Sequence, residues 1–416
     1  MNIKVFKFGG ASLKSAPVIQ HVATIIKDFA GEPLLLVFSA MGKTTNALEQ
    51  VVAASQTGKA YQSALAEIKR YHITIIQQLK IADIQFIDTI EKQFEELEKM
   101  LHTNDEYDQV YDQVVCYGEI LSSLIVNKYL QENGFNCEWI DARNYIHTNE
   151  TYREGKVDWT KTSTSINTLK EKLKSKIIIT QGFIGGTQKQ TTTTLGREGS
   201  DYSAAIFATC LKAKSVTIWK DVPGVMSADP KRLSSAIVFD ELPYQEAAEM
   251  TYYGASVIHP KTIKPLANAG IPLFVKNFDD STLPGTIIHE CKLVKLPTLI
   301  VFKDNQCLIS CKVTDYSFIN EQQMGTIFTA LSQTNTRINV MQNSAISFSF
   351  CVDFQDTKIL KLISMLSKDF EVYYNTGLTL VTIKNYDAST FNEYRTKPGV
   401  ILEQSSRSTL QVLIKS

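Results

Sequence analysis

The sequence has no excess of charge of either sign: 43 Lys and Arg stand against 43 Asp and Glu in 416 residues. That balance gives no reason to expect a nucleic-acid or membrane surface. No apolar run reaches the roughly 20 residues that a membrane span needs. The opening MNIKVFKFGG runs straight into a strand-like pattern, with no secretory leader. Cysteine is sparse and odd in number. Of the seven, only Cys307 and Cys311 lie close, at a spacing that is no usual metal or redox motif. A reduced, cytoplasmic setting is the expectation. The P-loop spacing, GxxxxGK followed by Ser or Thr, is missing too, so a phosphate site would have to be built another way.

What is present centres on residues 191–205, TTTTLGREGSDYSAA. A probable strand (177–180) and a glycine loop (181–186) precede it, and an apolar helical segment (204–211) follows. Strand, polar glycine loop and helix together present unpaired N–H groups and a positive helix end to an anion. Arg197 can grip a carboxylate with two parallel hydrogen bonds, and Gly199 allows close backbone approach. A solvated loop with a Ser-Asp cap would read the same way, so this stretch alone leaves both readings open.

The rest of the chain supplies similar loops. Residues 3–8 form a strand ending at Lys7, before Gly9, Gly10 and Ser12, where open α/β sheets bind ligands. Residues 33–39, PLLLVFS, read as a buried parallel strand and end in a hydroxyl-rich loop containing Ser39 and Thr45. Helices follow at about 61–79, 84–101 and 108–133, the last carrying Glu119 among small and apolar residues. Short strands are expected at 137–142, 216–221 and 271–277, with a helix over 239–253. Alternating strands and helices predict a mostly parallel sheet sandwiched by helices. Beyond a boundary near 290 the pattern changes. Strands at 307–313, 339–342, 345–352 and 378–384, with helices at 321–332 and 358–367, give the ferredoxin-like order. A second, thinner copy follows, with strands at 399–404 and 409–414 and no room for two full helices.

Seven boxes in register carry a family resemblance: KFGGAS (7–12), SAMGKTTNAL (39–48), YGEILSS (117–123), DAR (141–143), QGFIG (181–185) with TTLGREGSDYSAA (193–205), KDVPGVMSADP (220–230) and YGASVIHPKT (253–262). In this order the chain resembles the aspartokinases of the amino acid kinase fold family, with a catalytic part over 1–290 and a tail over 291–416 similar to tandem ACT regulatory domains, the second shortened. The resemblance implies ATP-dependent phosphorylation of the β-carboxylate of L-aspartate to 4-phospho-L-aspartate, the step that leads to lysine, threonine and methionine. Lys7 would span the phosphates, cradled by Gly9, Gly10 and Ser12, and Asp201 would hold Lys7 in place. Arg197 would clamp the α-carboxylate of aspartate and Glu119 its ammonium, with Ser39, Thr45 and Ser200 in the same pocket. Lys220, Asp221, Met226, Lys231 and Ser256 occupy nucleotide positions. Mg²⁺ would be held mainly by phosphate oxygens rather than by protein ligands. The resemblance also implies a homodimer through the ACT region and an amino acid effector, lysine or threonine.

The sequence departs from the family pattern in places. Ala11 replaces a usual Thr, Glu198 a usual Gly, Met226 a usual Tyr and Lys220 a usual Thr. Ser256 stands where most members have a phosphate-contacting Lys or Arg, with Lys261, Lys43 and Lys231 as candidate substitutes. Asn339 and Ala345 replace acidic residues near the effector position, so feedback by lysine is expected to be weak or altered. Two further readings stay open beside the aspartokinase: a related kinase for another acidic substrate, and an amino acid sensor that binds without turnover.

Overall fold

The computed structural model describes residues 1–255, 258–292, 296–315 and 317–415. They gather into two compact units. The first comprises Met1–Val225, Val238–Ala248 and Val257–Lys292, the second Met226–Ile237, Glu249–Ser256 and Leu293–Ser416. A single cut near 290 therefore misses two short segments that group with the tail.

The first unit is built on an eight-stranded sheet. Its strands are β1 (Lys4–Phe8), β2 (Leu34–Phe38), β3 (Cys137–Trp139), β4 (Ile177–Gln181), β7 (Ser215–Lys220), β8 (Glu241–Pro243), β9 (Leu273–Asn277) and β10 (Thr286–His289). The order is β3-β4-β2-β1-β7-β9-β10-β8, and only the β9–β10 pair is antiparallel. All five residues of β2 are buried, as a strand covered on both faces requires. Phe8 stacks between Phe38 and Trp219 on the flanking strands. β1 sits at the switch point, with β2 on one side and β7 on the other, so the loops after β1, β2 and β7 share one rim.

Several elements differ from the sequence expectation. The helix expected over 108–133 is two, Tyr107–Val115 and Tyr117–Glu132, meeting at Cys116. The helix expected over 239–253 begins only at Tyr244, because Glu241–Pro243 pairs with β10. The stretch read as loop folds into a hairpin, β5 (Ile184–Gly186) with β6 (Thr192–Thr194).

The second unit carries a six-stranded antiparallel sheet of β11 (Leu299–Lys312), β12 (Ile338–Asn343), β13 (Ser347–Asp353), β14 (Glu371–Lys384), β15 (Val400–Ser405) and β16 (Thr409–Lys415), in the order β12-β13-β11-β14-β16-β15. Residues 307–313 and 378–384 are only halves of strands 14 residues long. β11 and β14 run through both ferredoxin-like modules and pair along their whole length, with a bulge between Lys303 and Gln306. The thinner second module has one helix of its own, Ala388–Arg395, which the sequence reading lacked.

One core residue sets a pH dependence. His72, in the helix Gln62–Gln78, is fully buried. Its Nδ1 lies 2.8 Å from the Ile68 carbonyl, while Nε2 has no partner and the ring packs edge-on against Tyr71 and Phe94. Burial lowers its pKa to about 4, so the folded state holds the neutral ring. The unfolded chain takes up a proton below about pH 6.5 and the folded chain does not, so this contribution is complete above that pH and is lost as pH falls toward 4. Urea denaturation is expected to show a loss of about 2 kcal/mol between pH 7.5 and 5 that His72→Leu lacks.

Candidate active site

Strand ends, rim loops and the first turns of helices make a cavity of about 320 Å³, lined by Lys7, Gly10, Ser39, Ala40, Gly42, Thr45, Glu119, Phe183, Glu198, Gly199, Ser200, Asp201 and Lys220. Its tightness comes from two glycines. A Cβ on Gly10 would lie 2.7 Å from the Gly42 carbonyl oxygen, and one on Gly118 would lie 2.9 Å from the Ala40 methyl. Any larger residue at 10 would push the β1 and β2 loops apart, and at 118 would lift the Glu119 helix away.

One wall is cationic. Lys7, at the end of β1, places Nζ 2.6 Å from Asp201 Oδ1, and Lys220, at the end of β7, places Nζ 3.8 Å from Oδ2. Asp201 lies in the first turn of the helix Gly199–Leu211, where a negative charge is favoured. Burial works against its charged form, but the two ammoniums outweigh that and hold the carboxyl below its ordinary range. Two cations thus share one anion, leaving net positive charge in the wall.

The Glu119 carboxylate is opposite in character. Its residue is 3% exposed, Oε1 accepts from the Ala40 N–H at 3.3 Å, and Oε2 has no partner among the described residues. Burial pushes its carboxyl up to about 8, against the pull of that N–H and of Lys7. An orphaned carboxylate oxygen beside an open cavity is a receptor for a cation or for a hydrogen-bond donor.

The other residues singled out in the sequence fall differently. Arg197 is exposed and lines an adjoining cavity of about 250 Å³ with Tyr111, Arg153 and Thr194, while Phe183 and Glu198 belong to the walls of both cavities. Gly9 and Asp221 lie outside the wall, and the Ser12 hydroxyl is buried without a partner. Met226 and Lys231 belong to the second unit, and Ser256 falls outside the described residues. Lys261, one of the expected substitutes for a cation at 256, is instead paired with Glu154. It faces a larger cavity of about 820 Å³ lined by Trp159, Tyr202 and Lys264, which holds none of the site residues. The second cation beside Lys7 is Lys220, which had been read as a nucleotide contact and not as that substitute.

Glu198 contributes to the walls of both cavities. Its backbone is left-handed at φ 53°, and its carboxylate accepts from the His259 N–H at 2.8 Å. A side chain there is strained, and its charge opposes any anion in the cavity. Glu198→Gly is expected to raise kcat/KM about tenfold and to stabilise the fold by about 1 kcal/mol, measured by steady-state kinetics and thermal melts. A fall in activity would show instead that the tie to His259 is required.

Comparison with known proteins follows this geometry. The model of the amino acid kinase family matches residues 2–277. The chain is 30% identical over 404 residues to the lysine-sensitive aspartokinase 3 of Escherichia coli, covering 93% of this chain and 88% of that one. It is also 30% identical over 391 residues to the chloroplastic bifunctional aspartokinase/homoserine dehydrogenase 2 of Arabidopsis thaliana, covering 90% of this chain but spanning only 42% of the plant protein. The crystal structure of E. coli aspartokinase III with aspartate and ADP superposes with a TM-score of 0.85 at 28% identity, covering 99% of this chain and 96% of that one.

Proposed function

The chain belongs to the amino acid kinase family, among its aspartokinases, and from that premise we propose that it transfers the γ-phosphoryl group of ATP to the β-carboxylate of L-aspartate. The observation that carries this reading is one cavity in which two ammoniums flank Asp201 and an orphaned carboxylate oxygen of Glu119 awaits a cation. The E. coli relative whose structure holds aspartate and ADP supports the choice of ligands.

The chemistry asks little of acid–base groups. A substrate carboxylate with a pKa of about 3.9 is already ionised at neutral pH, so no general base is needed. The obstacle is repulsion between that carboxylate and the triphosphate, which positive charge and alignment remove. Lys7 and Lys220 take the phosphates, and Asp201 keeps both in place without accepting a proton. Glu119 takes the ammonium of aspartate, and Ser39, Thr45 and Ser200 line the same space. Arg197, in the adjoining cavity that shares Phe183 and Glu198, would turn toward the α-carboxylate. Of the cavity's carboxylates, Asp201 is engaged by two lysines and Glu198 by the His259 N–H, and Glu119 is given to the substrate ammonium, so Mg²⁺ would bind with the nucleotide's phosphates and help neutralise them.

Lys220 carries a separate expectation. Lys220→Thr leaves the Lys7–Asp201 pair standing and removes one cation from the wall. It is expected to lower kcat/KM for ATP by about 10- to 100-fold, read by initial rates at varied ATP.

A hydroxamate assay with purified protein, ATP, Mg²⁺ and aspartate tests the whole reading, with glutamate and acetylglutamate as rival acceptors. Turnover with aspartate supports it. Aspartate binding by calorimetry without turnover would overturn it in favour of a sensor.

We assign regulation and dimerisation to the second unit. β12 is an edge strand, and Met341 and Ile346 are exposed beside it, a surface that suits pairing with a second copy. Asn339 on that strand is engaged within the unit. Its amide accepts from Lys303 at 2.9 Å and donates to Gln306 at 2.7 Å and to Asp353 at 3.0 Å, while Lys303 pairs with Asp353 at 2.8 Å. An internal lysine already uses the anionic partner, which supports weak or altered feedback by lysine in this reading.

A further inference from the structure

The edge of the eight-stranded sheet holds a group of side chains far from the cavity's chemistry. β8 is the last strand and pairs in parallel with β10, with Ile287 beside Glu241 and His289 beside Pro243. Leu242 and Ile288 point into the core, at 1% and 0% exposure. Strand alternation therefore puts Glu241 and His289 on the other face, and Cys291 lies two residues past His289. All three are half-buried. His289 Nε2 is 2.9 Å from Glu241 Oε2. The carboxylate, imidazole and thiol donor atoms all lie within 4.8 Å of one another.

We propose that Glu241, His289 and Cys291 bind one divalent transition-metal ion of the zinc class. Three protein ligands of mixed O, N and S type, with water in a fourth position, are an established coordination set for Zn²⁺. Tetrahedral bonds of about 2.0 to 2.3 Å place neighbouring donors about 3.3 to 3.7 Å apart. The group has to contract by about 1 Å to reach that size. The donor set also selects the ion. Thiolate and imidazole favour zinc, cobalt and copper, whereas the Mg²⁺ that accompanies a nucleotide prefers oxygen and keeps its waters. A bound divalent ion makes the Cys291 thiolate the stable form, so loading the site releases a proton. The cysteine scan of the sequence could not find this group, because Glu241 lies 48 residues before His289.

The test uses the full chain, stripped with a chelator and titrated with Co²⁺ as a spectroscopic stand-in for zinc. Binding of about one equivalent with a thiolate-to-cobalt charge-transfer band and proton release is expected. Cys291→Ser should abolish the band, and His289→Ala or Glu241→Gln should weaken binding at least about tenfold. In the unaltered protein, Zn²⁺ should slow alkylation of Cys291, which is half-buried while the other six cysteines are buried. Absence of the band in the unaltered protein, or a band that survives in Cys291→Ser, overturns the proposal.

Discussion

Lys7→Met is expected to lower kcat by about 10²- to 10³-fold while leaving aspartate binding largely intact. Lys7 donates its charge to Asp201 at 2.6 Å in the free protein and is 9% exposed, so it is already aligned before substrate arrives. Alignment of that kind acts on the charge that develops during phosphoryl transfer and far less on ground-state binding. Methionine keeps the volume and removes the ammonium. It also leaves Asp201 with only Lys220, at 3.8 Å, so the carboxyl should move back toward its ordinary range. Steady-state rates with aspartate, together with calorimetry of aspartate binding, check both parts. Equal losses in binding and rate would place Lys7 on the aspartate and not on the phosphates.

The second large effect belongs to Glu119. Its carboxyl is pushed up to about 8 by burial, so at pH 7 the free protein holds it mostly protonated. An ammonium ligand needs the charged form. Aspartate binding should then release about 0.9 proton at pH 7, and the apparent KM should fall by up to about tenfold per pH unit below 8, levelling above it. The sign follows from the direction of the shift: the substrate favours the deprotonated state that the empty pocket disfavours. Glu119→Gln fills the same space without ionising. It should raise KM for aspartate by about 10- to 100-fold and flatten its pH dependence. Calorimetry in two buffers of different ionisation enthalpy counts the protons. A steep KM profile that persists in Glu119→Gln would assign the titration to another group.

Much of the site was legible before any coordinates. Lys7 and Lys220 end parallel strands, and Ser39 and Thr45 follow one, so parallel topology puts these four on one rim; Ser200 and Asp201 open the helix after the glycine loop, and Glu119 comes from the first turn of a helix that follows another helix. What the sequence concealed depends on where side chains point. Nothing in GREGSD tells that Glu198 takes a left-handed backbone and bonds to His259, or that Arg197 lines a neighbouring cavity that shares Phe183 and Glu198 with the one holding Lys7. The hairpin at Thr192–Thr194 was missed because its strands are three residues long and lack apolar alternation. The first half of β14, EVYYNTG, is largely exposed, and β11 carries the polar run KDNQ at its bulge. Both fall outside the expected strands, because cross-strand pairing and not local composition makes them extended.

The double use of β11 and β14 limits how the tail can be altered. Leu299–Lys303 pairs with 380–384 in one module, and 306–312 pairs with 371–378 in the other, on the same two ribbons. Cutting the chain after Lys384 would strip β16 from residues 378–384 and leave a long apolar edge open to other chains. Neither module can be excised, swapped or duplicated without carrying half of its neighbour's backbone with it. Inheritance and engineering alike have to treat this tail as a single piece.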